Sequence, residues 1–310
     1  MIGRELTTEA MNGGVRQSRQ GEQNRWPTQH SAYSIAVLTQ QISHYHLARY
    51  RAAAPCFKKL SIISVMNAAD FEEFLSLDHL ELDVIRLFEG KSSYLAAVEN
   101  GILWSTTIAA LDAIKPEVVA VAGWSFPESL AAIAWARTNS AKVIMMSASQ
   151  RVDAKRHAWR ERIKSRVVTA CDTALVGGDM QRDYIVALGM QSESTFLGYD
   201  AVDNRHFEEG AARARTQAAV LRATHGLPER YLLASARFIP KKNLVRLVLA
   251  FADAVATTGT AHSLVILGDG PGRVGLDTAI AAAGLQDRVQ LPGFKDYRIL
   301  PVYYGLADGF

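Results

Sequence analysis

Three short apolar runs with helical pattern between them constrain this chain more than anything else in it. From residue 231 it reads YLLASARFIPKKNLVRLVLAFADA, then SLVILGDGPGR, then DRVQLPGF. The runs at 231–236, 263–267 and 288–291 have the length and branched-residue content of strands buried on both faces. Between the first two, Leu244, Leu247, Val248, Phe251 and Val255 recur at the spacing of one helix face. Asn243 stands where a capping side chain would open that helix. Strand, helix, strand, helix, strand is half of a doubly wound nucleotide-binding domain. Ligands of an open parallel sheet bind at the carboxyl ends of its strands, and Arg237 and Lys242 follow the first run at that end. Two cations beside a helix N-terminus suit a pyrophosphate. The competing reading is a pair of ordinary surface charges.

Four pieces in order decide between these readings. They are Arg237-Phe-Ile-Pro-Lys-Lys242-Asn243, Leu267-Gly-Asp-Gly-Pro271, Val289-Gln-Leu-Pro-Gly-Phe294, and Leu300-Pro-Val-Tyr-Tyr-Gly-Leu-Ala-Asp308. This train resembles the family-four retaining glycosyltransferases of GT-B fold, the glycosyl transferase group 1 set. The resemblance implies an α/β chain of two doubly wound, Rossmann-like domains, the second one incomplete. It also implies a nucleotide-sugar donor with Arg237 and Lys242 on its phosphates. The turn Gly268, Asp269, Gly270 would lie near its nucleotide. The reaction implied is transfer of the sugar to an acceptor hydroxyl with retention. The donor is a substrate, and no cofactor or metal is expected. Relatives continue past the equivalent of Asp308 with an acidic motif of two glutamates. We therefore expect a truncated C-terminal domain, a strand 231–236 left as an open edge, and impaired transfer. The alternative is a non-catalytic remnant acting as a binding or scaffold protein.

Gly268-Asp-Gly270-Pro-Gly-Arg273 also begins like a dinucleotide fingerprint. Arg273 occupies the third glycine position, and no acidic residue ends the run 288–291, which argues against a nicotinamide cofactor.

With 310 residues the chain has room for two domains, each with a core. A net charge of +3 is too weak to argue for nucleic acid. Cys56 and Cys171 form no metal-type pair and read as free thiols in a reducing compartment. No run of about eighteen apolar residues occurs, so the expected location is cytoplasmic. Residues 1–30 are polar and read as a disordered leader. The expected division is an acceptor-side domain at 31–207, a linker or hinge helix at 208–228, and the partial donor domain at 229–310.

Strands are expected at 33–39, 60–65, 82–87, 117–122, 142–147, 172–177 and 194–197, giving a parallel sheet of about seven strands. A helical segment is expected around 71–77 and one long helix across 95–113. Ser125 and Glu128 have capping-box spacing around Pro127. Trp124 and Phe126 read either as core or as a sugar platform. The loop after the first strand reads Gln41-Ile-Ser-His44-Tyr45-His46, where relatives carry paired glycines. His44, Tyr45 and His46 are acceptor-side candidates, or polar residues covering a helix start. Relatives place a histidine near 147–150, where this chain has Ser147-Ala-Ser149-Gln150. The catalytic residue is therefore left unassigned. Ser149 and Asp153 are candidates for polar contacts to acceptor or donor sugar.

The next helix is basic, with Arg151, Lys155, Arg156, Arg160, Arg162, Lys164 and Arg166 against Asp153 and Glu161. Trp159, Ile163 and Val167 form its apolar stripe. One reading is peripheral contact of 151–167 with anionic lipid or a pyrophosphate-linked acceptor. The other is a solvated face whose stripe packs on the sheet. Asp203 is expected to cap the turn at the domain junction, with Phe207 anchoring it.

Overall fold

The computed structural model describes residues 31–66 and 81–310. The expected leader at 1–30 and the helical segment at 71–77 fall outside the described residues.

The first half alternates strand and helix: β1 (Ser31–Thr39), α1 (His44–Ala53), β2 (Phe57–Met66), β3 (Asp83–Phe88), α2 (Lys91–Glu99), α3 (Leu103–Ile114), β4 (Val118–Ala122), α4 (Pro127–Thr138), β5 (Lys142–Ser147), α5 (Ala158–Val168), β6 (Thr173–Val176), α6 (Asp179–Ala187) and β7 (Thr195–Leu197). The strands form one seven-stranded parallel sheet in the order β3-β2-β1-β4-β5-β6-β7. Successive strand residues go to opposite faces, so the apolar runs feed two cores. Val119, Val121, Val143 and Met145 pack with α4 and α6 through Ala132, Trp135 and Ile185. Ile35, Val37, Ile62 and Ala120 pack with α1 through Leu47 and Tyr50.

Three local expectations need correcting. The long helix at 95–113 is two helices, α2 and α3. Gly101 turns left-handed at φ +70°, and Ile102 N–H reaches back to the Ala97 carbonyl at 3.0 Å, closing the first helix. The capping box at Ser125 and Glu128 does not form. Phe126 occupies the N-cap, Pro127 opens α4, and Glu128 turns inward, 2% exposed, beside Tyr94. Burial raises its carboxyl above the usual range. Asn243 does stand at a helix start, but left-handed (φ 51°) and without a side-chain cap bond.

The second half runs α7 (Asn204–Thr216), α8 (Ala218–His225), β8 (Tyr231–Ser235), α9 (Leu244–Thr258), β9 (Ser263–Leu267), α10 (Arg273–Ala282), β10 (Val289–Gly293) and α11 (Leu300–Leu306). The three strands are parallel in the order β10-β9-β8. Leu264 and Ile266 face α9 and α10, while Val265 and Leu267 face Tyr303 and Leu306 of α11. The start of β8 is not an open edge. Tyr231 N–H donates to Asp308 Oδ2 at 3.0 Å, and Leu233 N–H to the Gly309 carbonyl at 2.8 Å. The chain at Gly309 lies parallel to β8. Asp203 caps α7 as expected, accepting from His206 N–H at 3.0 Å. Helices α7 and α11 touch backbone to backbone. A Cβ on Gly305 would lie 2.7 Å from Ala211 Cα, and one on Gly210 would lie 2.5 Å from Pro301 Cβ.

Candidate functional site

The two sheets present their carboxyl ends to one crevice, which holds a cavity of about 860 Å³. Its C-terminal wall is built from the loops after all three strands. Ser235, Ala236, Arg237 and Ile239 follow β8. Gly268, Asp269, Gly270 and Pro271 follow β9, and Phe294, Lys295 and Tyr297 follow β10. Ser43, His44 and Tyr45, at the start of α1, form the opposite wall.

The first two loops are locked together through the backbone. Phe238 N–H donates to the Asp269 carbonyl, and Gly272 N–H to the Phe238 carbonyl, both at 2.8 Å. Gly268 N–H reaches the Gly293 carbonyl at 3.1 Å, joining the third loop. The glycines are needed for this closeness. Gly268 has φ +116°, and a Cβ there would overlap the Ala236 carbonyl oxygen. At Gly270, φ +147°, a Cβ would lie 2.9 Å from the Phe238 carbonyl oxygen. Backbone therefore forms this part of the wall.

Arg237 is exposed and makes no ion pair among the described residues, so its guanidinium is available to an anion entering the cavity. Lys242 is exposed too, at the end of the short turn Pro240–Lys242, and does not line the cavity. Its neighbour Lys241 instead stands 3.8 Å from Asp153 across the crevice.

The acceptor-side candidates separate. His44 and Tyr45 line the cavity; His46 turns inward. Ser43 N–H donates to His46 Nδ1 at 3.2 Å, and the Ser43 hydroxyl sits 2.8 Å from the same nitrogen. Burial first, and Arg49 second, push His46 down to about 4. Ser149 and Asp153 also lie outside the cavity lining. The Ser149 N–H donates to Ser147 Oγ at 3.2 Å, and Asp153 accepts from Gln150 N–H at 2.9 Å. Trp124 packs on the core against Tyr184, and Phe126 is exposed; neither lines the cavity.

Lys295 and Tyr297 carry no motif signal of their own, since the recognisable sequence there ends at Phe294. The strand-end rule that selected Arg237 applies equally to the residues after β10. Tyr297 joins the two halves. Its ring stacks with His44 (4.8 Å between centroids, 3° between planes) and with His206 (4.4 Å, 9°). Phe207 and Tyr45 meet its edge. Burial raises its hydroxyl to about 12 and lowers His44.

His46 gives this site a pH signature. Its folded pKa lies below the unfolded value, so the unfolded chain takes up the proton first as pH falls. The stabilisation is present above about 6.5 and lost on the way down to about 4. Between pH 6.5 and 5 the loss should be about 2 kcal/mol from this residue. Urea unfolding over that range should show the slope, and His46→Gln should flatten it. His44 adds a slope of the same sign.

Residues 221–310 match the family model described as glycosyl transferases group 1. That stretch contains Arg237, Gly268–Gly270, Lys295 and Tyr297. Over 112 residues, 36% of this chain, it is 32% identical to an alpha-D-kanosaminyltransferase of Streptomyces kanamyceticus. The match spans 28% of that relative's length. The fold is that of GT-B glycosyltransferases. It is similar to Anabaena HepE in complex with UDP and glucose, with a TM-score of 0.62 at 13% identity, covering 89% of this chain and 73% of that one. It is also similar to sucrose-phosphate synthase from Thermosynechococcus elongatus, with a TM-score of 0.63 at 16% identity, covering 88% and 73%. A UDP-GlcNAc 2-epimerase from Methanocaldococcus jannaschii shares the architecture at a TM-score of 0.53 and 15% identity, covering 89% and 76%.

Proposed function

We propose that this chain is a glycosyltransferase. It holds a nucleotide sugar against the C-terminal wall of the crevice and passes the sugar to an acceptor hydroxyl entering from the α1 side. One observation carries the reading. Arg237, the backbone turn Gly268–Gly270 and Lys295, at the carboxyl ends of three adjacent strands, share a cavity with His44 and Tyr45 of the other half. The fold does not choose between transfer and epimerisation, since solved structures of both kinds are similar to it. The family match over 221–310 and the kanosaminyltransferase identity favour transfer.

In this reading 31–207 receives the acceptor, 208–228 links, and 229–310 holds the donor. Negative charge grows on the departing diphosphate as the sugar leaves. Arg237 and Lys295 meet that charge from fixed positions, with Lys242 approaching from the rim. The Tyr297 stack holds the walls together, which aligns the two substrates and keeps water out. Retention of anomeric configuration is the stereochemistry suggested by the motif order.

The test is release of nucleoside diphosphate from a panel of UDP-, dTDP-, GDP- and ADP-sugars with a cell-extract acceptor. Acceptor-dependent release, reduced at least about tenfold by Arg237→Ala, is the expected result, and proton NMR of the product reads its anomeric configuration. Acceptor-independent conversion to an epimeric nucleotide sugar would overturn transfer. Donor binding without any release would make the chain a binding module.

A further inference from the structure

Helix α5 turns to solvent the apolar residues that its sequence pattern would send to the sheet. Trp159 is 61% exposed and Ile163 53% exposed, one turn apart. Val152, in the short turn before the helix, is exposed as well. Val168 is the residue that packs into the core, with Val167 at its margin. At about 100° per residue, Trp159, Ile163 and Arg166 share one face, and Arg162 and Arg160 stand on its two flanks.

The acidic residues near this face are already engaged. Glu161 accepts from Lys164 at 2.7 Å and from the Tyr184 hydroxyl at 2.8 Å, and lies 3.9 Å from Arg156. Asp153 is held by Gln150 N–H and Lys241. Arg151, Lys155, Arg160, Arg162 and Arg166 make no ion pair among the described residues. Beside the helix, Arg151, Arg156, Arg162 and Ser165, together with the Lys164-paired Glu161, line a cavity of about 390 Å³, large enough to seat a phosphate group.

We propose that this face docks the protein on an anionic lipid bilayer. Trp159 and Ile163 enter the headgroup region, and the unpaired arginines meet lipid phosphates. An apolar centre flanked by arginines is the arrangement an interfacial helix uses. Tryptophan sits well at that boundary, and arginine stems cover apolar surface while their heads stay wet. A nucleic acid would reward the charge but leave Ile163 without a partner. No helix among the described residues is long and apolar enough to cross a membrane, so the contact is peripheral. Asp153, at the approach to α5, lies 3.8 Å from Lys241 of the loop after β8. The proposal stands on this face alone and does not require sugar transfer.

The experiment floats the full chain with vesicles of phosphatidylcholine, with and without phosphatidylglycerol. Flotation is expected only with the anionic vesicles. The partition should fall by about tenfold or more in Trp159→Ser/Ile163→Ser, and also in Arg160→Glu/Arg162→Glu. These side chains are exposed, so thermal melting should be unchanged. As a second readout, brominated acyl chains should quench tryptophan fluorescence in the native chain, and Trp159→Phe should abolish that quenching. Failure to float with anionic vesicles would overturn the proposal, as would absence of quenching. Flotation untouched by Trp159→Ser/Ile163→Ser would also overturn it, making the face a general polyanion surface that RNA gel shifts would reveal.

Discussion

Gly268→Ala is expected to destabilise the C-terminal half by at least about 3 kcal/mol and to abolish donor binding. The new methyl group would overlap the Ala236 carbonyl oxygen, and the backbone there sits at φ +116°, where L side chains are rarely found. Relief requires the loops after β8 and β9 to separate. That would break the bonds joining Phe238 to Asp269 and Gly272, and with them the backbone wall of the cavity. Gly259→Ala is the control. It also has positive φ (59°), but a Cβ there meets nothing within 4 Å, so only the modest left-handed cost of about 1 kcal/mol is expected. Denaturant unfolding of both variants measures the difference. Equal losses would mean that the loop is not the rigid element described.

Arg237→Ala and Lys295→Ala are each expected to weaken nucleotide-sugar binding while leaving the fold intact. Arg237 is exposed, and half-buried Lys295 makes no ion pair among the described residues, its ammonium lying 5.9 Å from the Tyr303 ring centre. A charge-assisted contact to phosphate contributes about 1.5–3 kcal/mol, or roughly 10- to 150-fold in Kd. If the two cations reach the diphosphate separately, the double variant should lose the product of the two factors. Lys242→Ala should cost less, because Lys242 stands outside the cavity wall.

Much of the fold was legible in the sequence because buried parallel strands have few alternatives. Val118–Ala122, Lys142–Ser147 and Ser263–Leu267 are short apolar runs between polar punctuation, and they form strands within a residue of the expected bounds. The seven-stranded sheet follows from them. Helix ends were harder to read. Asn100-Gly101 interrupts a pattern whose apolar periodicity continues across it, and only the left-handed turn at Gly101 shows that the helix stops. At Ser125 and Glu128 the residue spacing was right for a capping box, but burial beside Tyr94 claimed the glutamate.

The site divided in the same way. Arg237 and the Gly268–Gly270 turn lie where a strand end and a motif place them, a local property. The inward turn of His46 depends on the neighbouring Ser43 and on burial, and the Tyr297 stack joins residues about 90 to 250 positions apart. No periodicity records such contacts. The exposure of Trp159 and Ile163 was likewise hidden, since a stripe at helical spacing normally faces a core.

In the proposed function the crevice binds a nucleotide sugar through Arg237 and Lys295. Isothermal titration of the purified chain with a panel of nucleoside diphosphate sugars measures that binding. At least one should bind, more weakly as salt rises and as each of the two cations is removed. No binding across the panel, or binding indifferent to both Arg237→Ala and Lys295→Ala, would contradict it.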